Sequence, residues 1–256
     1  MRHGDFTELA KHYINRPGYS LSVLEIIGRY INAFSDGFKV ADVGAGTGKL
    51  TENLAELGFS GYAVEPNGPM RKEGQKLALS DFCWRKGTAE HTGLPDSSVD
   101  WVLMGSSFHW TKTAQALREF RRILKKGGFL TVLWNPRDLE KSVTDQRVDK
   151  YIRELLPDLK RVSSGSKEYT KNMDNILVST KDFKDPVFIE SGHIVKMSRQ
   201  RYIGVWKSVN DIRVQAGKKK FSRILNFIKD LTAQRETVTM YYKTRAWTVK
   251  STKRDD

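Results

Sequence analysis

The stretch Val40-Ala41-Asp42-Val43-Gly44-Ala45-Gly46-Thr47-Gly48-Lys49-Leu50 decides the fold of this chain. A β-branched run ends in three glycines at alternate positions, and a helical pattern follows at once. This order predicts a strand, a glycine-rich turn and a helix, the opening unit of a nucleotide-binding α/β fold. Gly44 and Gly46 allow a tight turn and a close approach to the backbone, and Gly48 allows the helix to begin close to the strand. The first turn of the helix then offers free N–H groups to a polar ligand.

The spacing of these glycines excludes two common ligand motifs. A phosphate-binding loop requires G-x-x-x-x-G-K-[ST], but Leu50 follows Gly48-Lys49 and Val43 stands where the first glycine is required. The dinucleotide motif G-x-G-x-x-G also fails, because its third glycine would fall at Lys49. The remaining pattern, G-x-G-x-G preceded by Asp42, resembles the first motif of class I S-adenosylmethionine (SAM) methyltransferases.

Downstream segments strengthen this resemblance because they occur in the order typical of the family. The first segment, Gly61–Pro66, predicts a second strand that ends in an acid. Residues 87–90 and 94–100 resemble the segment that packs on adenine and then enters the fourth strand. Residues 101–110 resemble that strand with its following loop, and residues 119–130 resemble the helix that leads to the fifth strand. A carboxylate at Glu65 can accept both hydroxyls of a ribose, although this feature alone does not separate SAM from NAD.

The resemblance implies a doubly wound, mostly parallel, seven-stranded α/β sheet with a helical cap from the C-terminal half. We expect residues 1–138 to form the SAM-binding core with N-terminal covering helices. Residues 139–256 are expected to form helical, substrate-binding insertions and the last strands of the sheet, within one structural domain. Residues 187–189 and 193–197 predict either one strand or a hairpin, and residues 237–249 predict a long strand. A helix predicted over 113–126 is expected to end at Gly127-Gly128.

The family also implies a set of cofactor-binding residues. Asp42 is expected to organise the ammonium end of SAM, and Glu65 is expected to bind the ribose. The glycine turn, the adenine edge and the methionine arm supply the remaining residues, which are Gly44, Gly46, Thr47, Gly48, Pro66, Met70, Thr88, Ala89, Glu90, Ser106 and Phe108. The product would be S-adenosylhomocysteine. No metal is expected, because no His, Cys and Asp cluster has metal-ligand spacing.

An N-terminal pattern, Phe6-x3-Ala10-x2-Tyr13-x2-Arg16-Pro17-x-Tyr19, resembles a small-molecule branch similar to trans-aconitate methyltransferase. In that branch the segment covers the cofactor. The resemblance implies that Tyr13 and Arg16 contact the methionine carboxylate of SAM. The alternative is that Tyr13 belongs to the core and that Arg16 is a surface charge.

Candidates for the reaction itself are fewer. His109 is either a general base, because its ordinary pKa lies near neutrality, or an imidazole that shapes the pocket beside Trp110. Trp206 lies in a segment, 202–208, that resembles a family segment facing the acceptor pocket, although a helix-core role is an equal alternative. Trp110 and Trp206 are expected to bind the substrate. Arg201 and Lys207 are expected to meet an anionic acceptor, as is Arg213.

Charge is unevenly distributed along the chain, whose net charge is +14. Residues 1–138 hold 18 Lys and Arg against 15 Asp and Glu, whereas residues 139–256 hold 26 against 15. The basic half indicates either an acidic partner or a solvated face. The leading hypothesis is a small-molecule methyltransferase that acts at an oxygen, with an acidic substrate as one candidate. An RNA (tRNA) methyltransferase and a non-catalytic SAM-binding module are the alternatives.

Targeting signals and cysteine content suggest a cytoplasmic protein. The N-terminus lacks an apolar signal core, and no apolar run approaches a membrane span. Cys83 is the one cysteine, so no disulfide can form within the chain, and we expect its side chain to lie in the core. The oligomeric state is not predicted.

Overall fold

The computed structural model describes residues 9–161 and 170–253. The start of a helix that the sequence predicts over 5–17 lies outside the described residues, as does the segment 163–166, for which the sequence predicts a loop.

The chain alternates strands and helices through its first half and becomes mostly helical in its second. The strands are β1 Lys39–Val43, β2 Ser60–Val64, β3 Phe82–Arg85, β4 Val99–Gly105, β5 Leu124–Trp134, β6 Phe183–Ser198 and β7 Thr237–Ser251. The helices are α1 Ala10–Tyr13, α2 Leu21–Tyr30, α3 Lys49–Glu56, α4 Gly68–Gln75, α5 Thr113–Ile123, α6 Val143–Leu155, α7 Met173–Val178, α8 Arg199–Lys207 and α9 Asn210–Leu231.

The sheet has the order β3-β2-β1-β4-β5-β7-β6. Strands β1 to β5 run parallel, and β7 pairs antiparallel with β5 and with β6. This arrangement confirms the doubly wound, mostly parallel α/β sheet with an antiparallel edge. The chain leaves β1 toward β2 and β3 and returns to place β4 on the other side of β1. Such a switch in strand order creates a crevice beyond the carboxyl ends of the strands.

Apolar residues on both faces of the central strands form the core. One face packs against α5 and α7 through Leu117, Phe120 and Leu177, and the other packs against α2 and α3. A third cluster joins α6, α8 and α9 to the ends of β6 and β7. Helix α9 bends at Gly217 (φ 64°). The sequence predicts helical structure over 199–230 with an interruption near 217–220, and the bend falls within it. We refer to α6, α8 and α9 as the cap.

Helix α5 ends earlier than predicted, and Gly127-Gly128 does not end it. The helix stops at Ile123, and Leu124 already pairs with Val99 of β4. The carbonyl oxygens of Arg122 and Ile123 accept hydrogen bonds from the backbone N–H groups of 97 and 98, so a tertiary contact ends the helix. The two glycines instead form an excursion within β5, where the register with β4 shifts.

Residues 187–189 and 193–197 belong to one long strand, β6, rather than to a hairpin, because β6 pairs with β7 along nearly its whole length. One further expectation is wrong. Cys83 is exposed rather than buried, because it lies on β3, the strand at one edge of the sheet.

A buried hydrogen-bond chain spans three strands of the sheet and yields a stability prediction. The fully buried Trp101 donates its indole N–H to Thr131 Oγ1 at 2.8 Å, and Thr131 lies 2.9 Å from Thr248 Oγ1. Thr131→Val should lower the free energy of unfolding by about 1–3 kcal/mol, because it leaves the indole N–H buried without a partner. Urea unfolding measures this loss. Thr237→Val makes the same change at an exposed site of β7 and should have little effect; an equal loss in both variants would contradict the prediction.

Candidate functional site

A cavity of about 670 Å³ lies beyond the carboxyl ends of β1, β2 and β4, with walls from the N-terminal segment and the cap. This is the volume range of sites that bind small molecules and cofactors. Most of the residues singled out in the sequence line it, namely Tyr13, Arg16, Asp42, Gly44, Gly46, Thr47, Glu65, Pro66, Met70, Thr88, Ala89, Glu90, Ser106, His109, Trp110 and Trp206.

Five of the predicted residues do not line this cavity. At Gly48 a Cβ would come within 2.7 Å of Leu77, so the glycine allows the start of α3 to pack closely against the residues that follow α4. Phe108 is fully buried in the core beneath the sheet. Arg201 donates to the carbonyl oxygens of residues 15 and 16, and Lys207 lines a separate cleft together with Arg213.

The glycine turn is held by the acid at the end of the neighbouring strand. Glu65 Oε2 accepts the N–H of Gly46 at 2.8 Å, and Oε1 accepts the N–H of Asn67 at 2.8 Å. Gly44 and Gly46 adopt φ values of 72° and 60°, which favour glycine. Burial raises the pKa of Glu65, while the two backbone donors oppose that rise. A carboxylate with two of its four lone-pair sites used can accept further hydroxyl groups.

Asp42 lies at the floor of the cavity and is fully buried. Its Oδ2 atom accepts the Thr51 hydroxyl at 2.6 Å, whereas Oδ1 has no hydrogen-bond partner among the described atoms. Burial raises the pKa of Asp42 to about 7, and the Thr51 hydroxyl opposes this rise. Because a buried acceptor without a donor is costly, Asp42 fits a cationic, hydrogen-bonding ligand group in the cavity.

A second polar contact in the cavity was not assigned from the sequence. Tyr19 is partly buried and donates its hydroxyl to Ser106 Oγ at 3.0 Å. Ser106 follows β4 and has a φ of 54°, a left-handed conformation that is uncommon outside glycine. Such conformations concentrate at binding sites, but sequence alone gives no sign of them at a serine.

Arg16 connects the N-terminal segment to the cap. Its Nε donates to Ser208 Oγ at 2.9 Å, and Nη2 donates to the Ser208 carbonyl oxygen at 3.0 Å. The guanidinium also stacks on Tyr13, 4.0 Å from the ring centroid. Arg16 is therefore partly committed to a protein contact that closes one wall of the cavity.

His109 lies beside Trp110, with the ring centroids 4.6 Å apart. Burial lowers the pKa of His109 to about 4. The imidazole is consequently neutral at physiological pH and has a weak affinity for a proton, which favours the pocket-shaping alternative over the general base.

The cap side of the cavity contains charged residues that the sequence analysis did not select. Arg137 follows β5, and its guanidinium carbon lies 3.7 Å from the ring centroid of Trp206. Asp149 and Asp211 also line the cavity, but each already pairs with an arginine: Asp149 with Arg153 at 2.6 Å, and Asp211 with Arg161 at 2.8 Å. No local signal marks Arg137, because its position depends on β7 and α8.

The described residues contain neither a metal-binding cluster nor a membrane-spanning helix. No group of three or more His, Cys, Asp and Glu side chains there could hold a metal ion. In the same residues, no helix is both long and apolar enough to cross a membrane.

The α/β core is similar in sequence to known methyltransferases. Residues 41–132 match the family model for a methyltransferase domain. An uncharacterized methyltransferase of Mycobacterium bovis is 44% identical over 100 residues, which cover 39% of this chain and 41% of that protein. The match thus spans about two fifths of the length of this curated relative.

Solved structures extend the similarity across the whole fold. A type II methyltransferase from Anaeromyxobacter dehalogenans, described as putative, superposes with a TM-score of 0.59 and 20% identity over 92% of this chain and 96% of that one. A phosphoethanolamine N-methyltransferase of Haemonchus contortus, solved with S-adenosylhomocysteine, superposes with a TM-score of 0.53 and 13% identity over 95% and 57%. At these identities the likeness establishes the fold.

The burial of Asp42 predicts a measurable pH dependence of stability. Because its pKa rises from 3.8 unfolded to about 7 folded, the folded protein keeps a proton that the unfolded chain releases in this window. Asp42 therefore costs stability as the pH rises, and Asp42→Asn removes that cost. The stability of Asp42→Asn relative to wild type should increase by about 4 kcal/mol from pH 4 to pH 8, measured by urea unfolding without ligand. The exposed control Asp36→Asn should show no such trend, and a constant difference for Asp42→Asn would refute the assignment.

Proposed function

We propose that this chain, whose α/β core is a class I SAM-dependent methyltransferase domain, binds SAM in the cavity and transfers its methyl group to an oxygen of a small-molecule acceptor. The observation that carries the proposal is the pair of buried carboxylates, Asp42 and Glu65, at the carboxyl ends of adjacent strands. They flank the glycine turn at the switch in strand order, where ligands of open α/β sheets bind.

The residues present fit this cofactor at both ends. The unpartnered Oδ1 of Asp42 can accept a hydrogen bond from the ammonium group, and the unused lone pairs of Glu65 can accept the ribose hydroxyls. At Gly46 a Cβ would meet nothing closer than 3.7 Å, so the backbone leaves room on the cavity side. Met70 and Ala89 offer apolar surface for adenine.

The chain contributes position more than acid–base chemistry. SAM supplies a methyl group on a sulfonium that is already a good leaving group. Most of the acceleration should then come from holding the acceptor oxygen in line with the methyl group. Walls from the N-terminal segment and the cap limit the access of water to the cavity. An acceptor that is already ionised needs no base, which agrees with the low pKa of His109.

The volume of the cavity favours a small acceptor. A single cavity of about 670 Å³ must hold both SAM and the acceptor. The N-terminal pattern, which resembles the trans-aconitate methyltransferase branch, supports a small acidic acceptor. A tRNA substrate is the alternative that the basic half of the chain keeps open.

One prediction of this proposal concerns the affinity for SAM. Asp42→Asn and Glu65→Gln should each weaken SAM binding roughly 10- to 100-fold, because each removes a charged acceptor. Calorimetry at pH 7.5 measures this change, with thermal unfolding to verify the fold. Glu56→Gln, on the exposed side of α3, is the matched control and should bind SAM normally. Unchanged affinity in both site variants would disprove the site.

Another prediction of this proposal concerns the methylated product. Incubation with SAM and a metabolite extract should yield S-adenosylhomocysteine together with a small molecule heavier by one methylene unit, identified by mass spectrometry. Hydrolysis of the product by mild base would identify an ester and hence methylation at a carboxylate oxygen. Methylated tRNA from a parallel incubation would support the RNA alternative instead, and no turnover with any acceptor would support a SAM-binding module.

A further inference from the structure

We infer that Arg137 is the residue that selects the acceptor and that it does so by binding a carboxylate. The inference rests on the proposed function, which it refines by naming a substrate class and a specificity-determining residue. Arg137 lines the cavity and lies on its cap side, between the end of β5 and α8.

The position of Arg137 separates it from the cofactor end. Glu65 follows β2 and Arg137 follows β5, and the sheet places these strands three positions apart. At ~4.8 Å per strand, the two strand ends lie roughly 14 Å apart. Arg137 therefore lies beyond β1 and β4, on the side from which an acceptor would approach the methyl group.

The charge of Arg137 is available to a ligand. Among the described residues, no carboxylate lies within ion-pair distance of its guanidinium, whereas Asp149 and Asp211 already pair with arginines. Asp145 acts on Arg137 only at longer range, and its Oδ1 accepts the Tyr202 hydroxyl at 2.8 Å. Tyr242 lies close to Arg137 and raises the pKa of its guanidinium. The guanidinium thus keeps donors for a planar, bidentate partner.

The surroundings of Arg137 fix its orientation. One face of the guanidinium lies on the Trp206 ring at 3.7 Å, a stacking and cation–π contact that leaves the edge with its N–H groups accessible. Arg137 also pairs through its backbone with Tyr242 of β7. A guanidinium held in this way loses little conformational entropy when it binds an anion.

A carboxylate fits this site better than a phosphate. Asp145 and the other acids of the cap side repel additional negative charge, so one guanidinium suits a monoanion rather than a phosphate that carries about two charges. A carboxylate is also a competent acceptor. One of its oxygens forms a bond to the methyl carbon with its own lone pair, the carbon–sulfur bond breaks, and the sulfur keeps that electron pair. The product is a neutral methyl ester and no proton moves.

Binding to the complex with S-adenosylhomocysteine, in which no transfer can occur, tests the inference. Calorimetric titrations use benzoate and succinate, their neutral matches benzamide and succinamide, and phenyl phosphate. In the wild type we expect at least one acid to bind about tenfold or more tightly than its amide. Arg137→Met should weaken that acid roughly 30-fold and leave the affinity for S-adenosylhomocysteine within about twofold. Arg137→Lys, which keeps the charge without the planar fork, should give an intermediate loss.

The controls separate this inference from the proposed function. Arg118→Met, the same substitution on the exposed side of α5, should change neither affinity. Equal binding of acids and amides by the wild type, or an acid preference that persists in Arg137→Met, would overturn the role of Arg137 even if SAM binds. Tighter binding of phenyl phosphate than of benzoate would overturn the carboxylate assignment. A wild-type protein that binds neither SAM nor S-adenosylhomocysteine would instead contradict the proposed function, whatever the acids do.

Discussion

The hydrogen bonds from the Gly46 and Asn67 N–H groups to the Glu65 carboxylate are the contacts on which the site depends. They fix the turn after β1 to the end of β2, and they hold a negative charge where solvent is largely excluded. Asp42 lies one strand over and raises the cost of that charge, as Glu65 raises the pKa of Asp42. The protein therefore holds two acids in an unfavourable environment that a cation would relieve. Unfavourable electrostatics of this kind are common at functional sites, where the rest of the fold compensates for them.

The cap adds a second constraint, because it is joined to the N-terminal segment rather than only to the sheet. Arg16 donates two hydrogen bonds to Ser208, and Arg201 donates back to the carbonyl oxygens of residues 15 and 16. Gly204 allows this approach, since a Cβ there would come within 2.5 Å of Asn15. Two regions almost two hundred residues apart in sequence thus form one wall of the cavity.

Much of the fold was accessible from the sequence because its signals are local. Glycine spacing, alternation of strands and helices, and an acid after the second strand are all read within a few residues, and together they predict the parallel sheet. The failures have a common cause. Helix α5 ends where the segment that leads into β4 supplies backbone donors, and Cys83 is exposed because β3 lies at an edge. Neither of these features is encoded near the residues concerned.

The sequence by itself determined which residues surround the glycine turn, because the turn, Asp42 and Glu65 belong to consecutive elements whose order fixes their meeting point. Only the tertiary structure decided how the N-terminal segment and the cap contact the rest of the cavity. Tyr19 reaches Ser106, and Arg137 lies on Trp206, through contacts between segments about seventy to ninety residues apart. The physical reason is that charged and aromatic side chains carry no periodic signal in sequence. Whether an arginine faces a cavity or solvent depends on which distant surface its guanidinium meets.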